Sequence, residues 1–298
     1  MDYFFRTLDV MAEFPNTLGA LAAYKAVIGG ITEACTPVIA AVVRDLKKYM
    51  KLKYEATGQR ILPIGYCAAT THPRDKMILD YLSSQTEAER IDFWTCEGYS
   101  WASPADMESS GYNRLIERYE STTIPFFFSE YGNTPNLPRL FDETIALYSP
   151  QMTRVFSGGF VYKFWHGANP YGLVGTLPAR EEGVTPGEVQ QPDRRDAYVA
   201  ETRQTAQGTL RIFQDFMNYK ASLEATKDIQ PNNDRAVTHA LNSDLVESSG
   251  LAHVFVNRCS ITPREDLVEE TPAYVGQVPE SCVDWVKIED NLEEWLLI

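Results

Sequence analysis

Five short apolar runs, separated by stretches of helical spacing, limit what this 298-residue chain can become more than any other feature. The runs are Thr17–Ala23, Ile61–Tyr66, Ile91–Cys96, Phe126–Phe128 and Val155–Phe164. Apolar runs of this length, bounded by turn residues, read as buried strands. Between them, Thr36-Pro37 offers a helix start with proline in the first turn. Val38, Val42, Leu46 and Tyr49 then recur at helical spacing, and Lys47, Lys48, Lys51 and Lys53 load the end where the helix dipole favours cations. Further helices are expected over Asp75–Leu82, Tyr112–Tyr119 and near Phe141–Leu147, and a strongly apolar one containing Leu210, Phe213, Phe216 and Met217. Strand and helix in alternation predict parallel β/α packing.

The fourth run lies in Ile124–Asn133 (IPFFFSEYGN) and hands a lone acid, Glu130, to a Tyr-Gly turn. In barrels of alternating strands and helices, catalytic groups sit at such strand ends. Gly132 lets the chain turn sharply away from that point. A solvated glutamate beside a turn would show the same local pattern.

Hydrophobic residues at 44% and aromatics at 12% are ordinary for a globular enzyme and argue against wholesale disorder. A formal charge of -14 argues against nucleic acid or an anionic membrane as partner, since either wants a basic field. Five cysteines with no CxxC pair give no metal site and at best an incomplete disulfide set. Met1–Arg6 lacks the basic-then-apolar pattern of a signal peptide, and the acidic end of the chain lacks a lipid-anchor signal, so the chain as written is expected to stay inside the cell. A proline- and charge-rich excursion spans Leu177–Asp196. The expected division is a barrel-like body over 1–222 and an acidic, weakly structured tail over 223–298, with a strand at His253–Val256.

Eight stretches, in order along the chain, carry a family likeness. They are Leu8–Gly19 (LDVMAEFPNTLG), Ala41–Tyr49 (AVVRDLKKY), Ile64–Tyr66 (IGY), Gly98–Trp101 (GYSW), Pro125–Gly132 (PFFFSEYG), Tyr148–Met152 (YSPQM), Val155–Tyr162 (VFSGGFVY) and Asn169–Val174 (NPYGLV). Together they resemble the fungal β-1,3-glucanosyltransferases of glycoside hydrolase family 72, over roughly residues 3 to 220. The resemblance implies an α/β protein with a (β/α)8 TIM-type barrel and two catalytic glutamates. It implies cleavage of an internal β-1,3-glucan linkage, a glycosyl-enzyme, and transfer to the end of a second glucan. It implies no metal or organic cofactor. Retaining chemistry of this kind uses two carboxyl groups about 5 Å apart. Glu130 matches the nucleophile, and Tyr99 and Tyr162 match tyrosines that line the donor site. Trp101, Trp165 and Tyr171 are expected sugar-stacking platforms, although aromatic side chains at strand ends often only pack.

Three departures from the family stand out. Where the fourth family strand ends in Gly-Asn-Glu, this chain has Tyr24 for the asparagine and Lys25 for the acid/base glutamate. A lysine starts near pKa about 10.4, so at neutral pH it is a cation with no lone pair to activate a hydroxyl. No spacing singles out Glu33 or Glu97 as a replacement. The matching segments also cover only about the fourth to eighth strand-helix units, so an incomplete barrel is expected, with open edges inviting self-association. Ala102 stands where the family has a cysteine, which removes one family disulfide. The expectations are therefore a retaining β-1,3-glucanosyltransferase with impaired catalysis or, alternatively, a non-catalytic β-glucan-binding pseudoenzyme or degenerate fragment. Family members reside at the fungal cell surface, lipid-anchored or in the wall.

Overall fold

The computed structural model describes residues 2–24, 35–68, 75–167, 169–177, 194–206, 208–229 and 277–295. In chain order its elements are α1 (Asp2–Glu13), β1 (Ala20–Tyr24), α2 (Thr36–Thr57), β2 (Ile64–Ala68), α3 (Asp75–Ser84), β3 (Phe93–Gly98), α4 (Tyr112–Tyr119), β4 (Phe126–Tyr131), α5 (Asp142–Leu147), β5 (Gly159–Val161) and β6 (Val174–Leu177). A 3-10 turn at Arg194–Tyr198, β7 (Val199–Thr205), β8 (Gly208–Phe213), α6 (Gln214–Thr226) and α7 (Trp285–Trp295) complete them. The first five strands form one sheet in the order β1-β2-β3-β4-β5. The pairings of β1 with β2, β2 with β3 and β4 with β5 are parallel, as the alternation predicts. The chain divides into two units, one of Met1–Cys96, Thr122–Phe126 and Arg235–Ile298, the other of Glu97–Ser121 and Phe127–Asp234.

In the first unit, α2 begins at Thr36 with Pro37 in its first turn and stops at Gly58, whose φ of 72° returns its N–H to Tyr54 O at 2.8 Å. Asp92, just before β3, accepts from Lys47 Nζ at 2.7 Å and from the N–H of Ile64 at 2.8 Å, which docks α2 on the sheet. Tyr66 and Trp94, both fully buried, pack with ring centres 5.1 Å apart. The acidic stretch expected to be weakly structured holds α7. Trp285 lies 6.1 Å from Phe5, which stacks on Tyr49 at 4.2 Å, and Ser281 Oγ donates to Asp45 at 3.0 Å while accepting from Trp285 Nε1. The strand expected at His253–Val256 lies outside the described residues.

The second unit holds a helix-covered core around Phe128, whose ring meets Tyr112 of α4 at 5.4 Å and Phe156 at 4.7 Å. The expected last strand, Val155–Phe164, is realised only over Gly159–Val161. A three-stranded antiparallel sheet, β6-β8-β7, was not expected. It corrects the reading of Leu210 and Phe213 as helical. Both lie on β8, and the helix starts only at Gln214, so the apolar stripe straddles a strand-helix boundary.

Candidate active site

The end of β4 and the segments that follow β3 and β5 bring the sequence-expected residues together. Glu130 is half-buried near the end of β4, and Tyr99, just past β3, donates its hydroxyl to Glu130 Oε2 at 2.8 Å. Asn133 fixes that tyrosine from behind, with Nδ2 donating to Tyr99 O at 2.7 Å. Burial first, and the bond to Glu130 next, push the Tyr99 phenol well above its ordinary pKa, so it remains a donor. Tyr171 meets Tyr99 edge to face at 5.8 Å and Tyr162 at 5.3 Å, making a row of three tyrosines beside the carboxylate. Asn169 Nδ2 reaches Tyr162 Oη at 3.5 Å.

Other expected residues are placed differently. Trp101 is only 4% exposed and packs on Tyr112 at 5.0 Å, so its ring belongs to the core and has no face free to stack on a sugar. Trp165 is 41% exposed and meets Phe164 edge to face at 4.9 Å. Tyr24 is the last residue of β1, and Lys25 lies outside the described residues.

A buried ionic cluster that sequence reasoning missed sets the shape of this row. Arg139, 2% exposed, donates through Nε to Asp215 Oδ2 at 2.6 Å. The same guanidinium holds three carbonyls, Gly132 at 3.1 Å, Tyr162 at 2.8 Å and Tyr171 at 2.6 Å. Arg195 shares Asp215 Oδ2 at 3.1 Å and binds the carbonyls of Gly172, at 3.0 Å, and Pro170. Gly132, at φ 104°, makes the turn that presents its carbonyl to Arg139 directly after the glutamate strand. Thus one acid and two arginines clamp every segment that carries a tyrosine of the row except that of Tyr99. Residues far apart in sequence and unremarkable in local pattern left no sign of this arrangement.

Chemically, the site offers an anchored carboxylate, phenol donors and aromatic surface. Among the described residues, no group of three or more His, Cys, Asp or Glu is arranged to hold a metal ion. A cavity of about 740 Å³ in the first unit, lined by residues such as Phe5, Asp9, Tyr49 and Leu292, shares no residue with this site.

Residues 1–185 match the family model described as Glucanosyltransferase. The chain is 38% identical over 169 residues to pH-responsive protein 1 of Candida albicans, covering 57% of this chain and 30% of that protein. It is 35% identical over 174 residues to 1,3-beta-glucanosyltransferase gel1 of Aspergillus fumigatus, covering 58% of this chain and 37% of that one. The solved structure of Saccharomyces cerevisiae Gas2p in complex with laminaripentaose is similar with a TM-score of 0.60 at 25% identity, covering 77% of this chain and 45% of that one. The chain thus spans 30% and 37% of these two curated relatives, and less than half of the solved chain.

Proposed function

Since this chain belongs to the glucanosyltransferase family, glycoside hydrolase family 72, we propose that it binds β-1,3-glucan of the fungal cell wall at the Glu130 site and performs retaining glycosyl transfer there, slowed by the lysine at the acid/base position. The observation that carries this is the 2.8 Å bond from Tyr99 to Glu130, which aims a carboxylate at the end of β4 beside a row of tyrosines. In the reaction, a Glu130 oxygen attacks the anomeric carbon while the glycosidic bond to the departing sugar breaks, giving a glycosyl ester. A hydroxyl of a second glucan then attacks the same carbon and releases the glutamate. Tyr99, Tyr162 and Tyr171 bind the sugar through hydroxyls and ring faces, and Tyr24, by its sequence match to the family asparagine, is proposed as a further substrate-binding residue. A lysine at the family's acid/base position supplies no general base, and its charge is of the sign that opposes the positive charge developing on the sugar.

Lys25 also favours a second reading, a β-glucan binder without turnover. The purified chain, incubated with reduced laminaripentaose, is expected to yield both longer and shorter oligosaccharides, and Glu130→Gln is expected to yield neither. Lys25→Glu is expected to raise the rate, because it replaces a charge that opposes the transition state. Saturable laminaripentaose binding with no products from either protein would establish the binder instead. We further propose self-association through the sheet's outer strand β1, on which Leu21 is 40% exposed. Sedimentation of the Leu21→Lys variant as a smaller species than the parent chain is the expected result.

A further inference from the structure

The replacement of the family acid/base leaves the site one carboxylate short, and the second unit contains a candidate where no motif placed one. Glu97 is the penultimate residue of β3, the strand that lies next to β4. Its neighbour Gly98 faces the helix-covered core, since a Cβ there would meet the Phe128 ring at 2.9 Å. Side chains alternate along a strand, so Glu97 projects from the opposite face. On β4 the pairing with β5 shifts register between Phe128 and Tyr131, and a Cβ on Gly159 would meet both side chains, so this bulge keeps Phe128 and Tyr131 on the helix-covered side and leaves Glu130, next to Tyr131, to the opposite face. Adjacent strands lie about 4.8 Å apart. Two carboxylates thus occupy one face at the same end of neighbouring strands, with Tyr99 two residues beyond one and hydrogen-bonded to the other. The negative charge of Glu97 is among the causes that raise the Tyr99 phenol, after burial and the contributions of Glu130 and Tyr171.

We propose that Glu97 is the acid/base of this site, taking over the role that a lysine at position 25 cannot perform. This rests on the reading of Glu130 as the nucleophile. In the first step, as Glu130 forms its ester to the anomeric carbon and the glycosidic bond breaks, the Glu97 carboxylic acid gives its proton to the departing sugar oxygen. In the second, the acceptor hydroxyl passes its proton to the Glu97 carboxylate while its oxygen bonds to the anomeric carbon and the ester to Glu130 breaks. The Trp94 N–H to Pro125 O bond sets Glu97 across from Ser129, one residue from Glu130, and side chains so placed on one face can bring their carboxyls to the separation of about 5–5.5 Å that retaining transfer uses.

The test uses the full chain with two donors, reduced laminaripentaose and 2,4-dinitrophenyl β-laminaribioside, whose leaving group needs no proton. Glu97→Gln is expected to slow transfer from laminaripentaose by about 10²- to 10⁴-fold while dinitrophenolate release in the first turnover stays within about tenfold of the parent. With Glu97→Ala, added azide is expected to restore turnover and give a β-glycosyl azide, the configuration that follows attack on a glycosyl-enzyme. Circular dichroism and Glu97→Asp control for folding, the aspartate being expected to retain partial transfer. Equal slowing on both donors, unchanged transfer from laminaripentaose, or no azide product overturns the assignment of Glu97. If the parent chain processes neither donor, or Glu130→Gln matches the parent, the underlying reading falls and this assignment falls with it.

Discussion

Glu143, in the first turn of α5, is 2% exposed, and burial foremost raises its carboxyl to about pH 7, with the charge of Asp142 adding to the effect and Ser103 opposing it. The folded chain therefore holds this proton more tightly than the unfolded one, where the value is 4.5. The stability that follows is fully present below about pH 4.5 and is lost as pH rises through about 7. The unfolding free energy of the parent relative to Glu143→Gln is expected to fall by on the order of a few kcal/mol between pH 4 and pH 8; parallel pH curves from urea titration would reject this. An acid at a helix start is usually solvated, so nothing local marked Glu143. Glu130 was legible because a strand end and a glycine turn frame it, whereas Tyr99 emerged only through likeness to a family. Glu97 could not be told from Glu33 by spacing, because its meaning lies in the face it shares with Glu130, and that depends on which neighbour packs against Phe128.

Among the elements, β2 and β3 were readable because each is a compact run whose side chains are nearly all buried, and β4 because its apolar start, Phe126–Phe128, is buried at both ends. β7 was not, since nearly all of it is exposed and no apolar alternation is visible. Two segments separated by 76 positions meet in the Arg139–Asp215 pair, which fastens the first turn of α6 to the loop before α5 and, through three carbonyls, to the segments bearing Tyr162 and Tyr171. Removing one partner of a buried ion pair costs about 3–5 kcal/mol because the other charge is left uncompensated. Asp215→Asn is therefore expected to lower stability by about that amount in chemical denaturation. It is also expected to weaken laminaripentaose binding measured by calorimetry on the folded fraction. Unchanged affinity would show that the tyrosine row keeps its shape without the clamp.

For the molecule as a whole, a net charge of -14 opposes the self-association proposed for β1, because two copies repel at long range. Salt shortens that repulsion, with a screening length of about 10 Å at 0.1 M. The dimeric fraction in sedimentation is therefore expected to rise from 20 mM to 500 mM salt, and a fall would mean that ion pairs rather than backbone pairing hold the copies. The acidic composition that favours this repulsion also hid α7, a helix whose contacts come from the opposite end of the chain. Ser281 binds Asp45 across 236 positions. At a synthesis rate of about 5–20 residues per second, a ribosome making this chain takes some tens of seconds to deliver the second partner after the first. Throughout that interval Phe5 and Tyr49 lack Trp285, the ring that lies beside Phe5 in the finished fold.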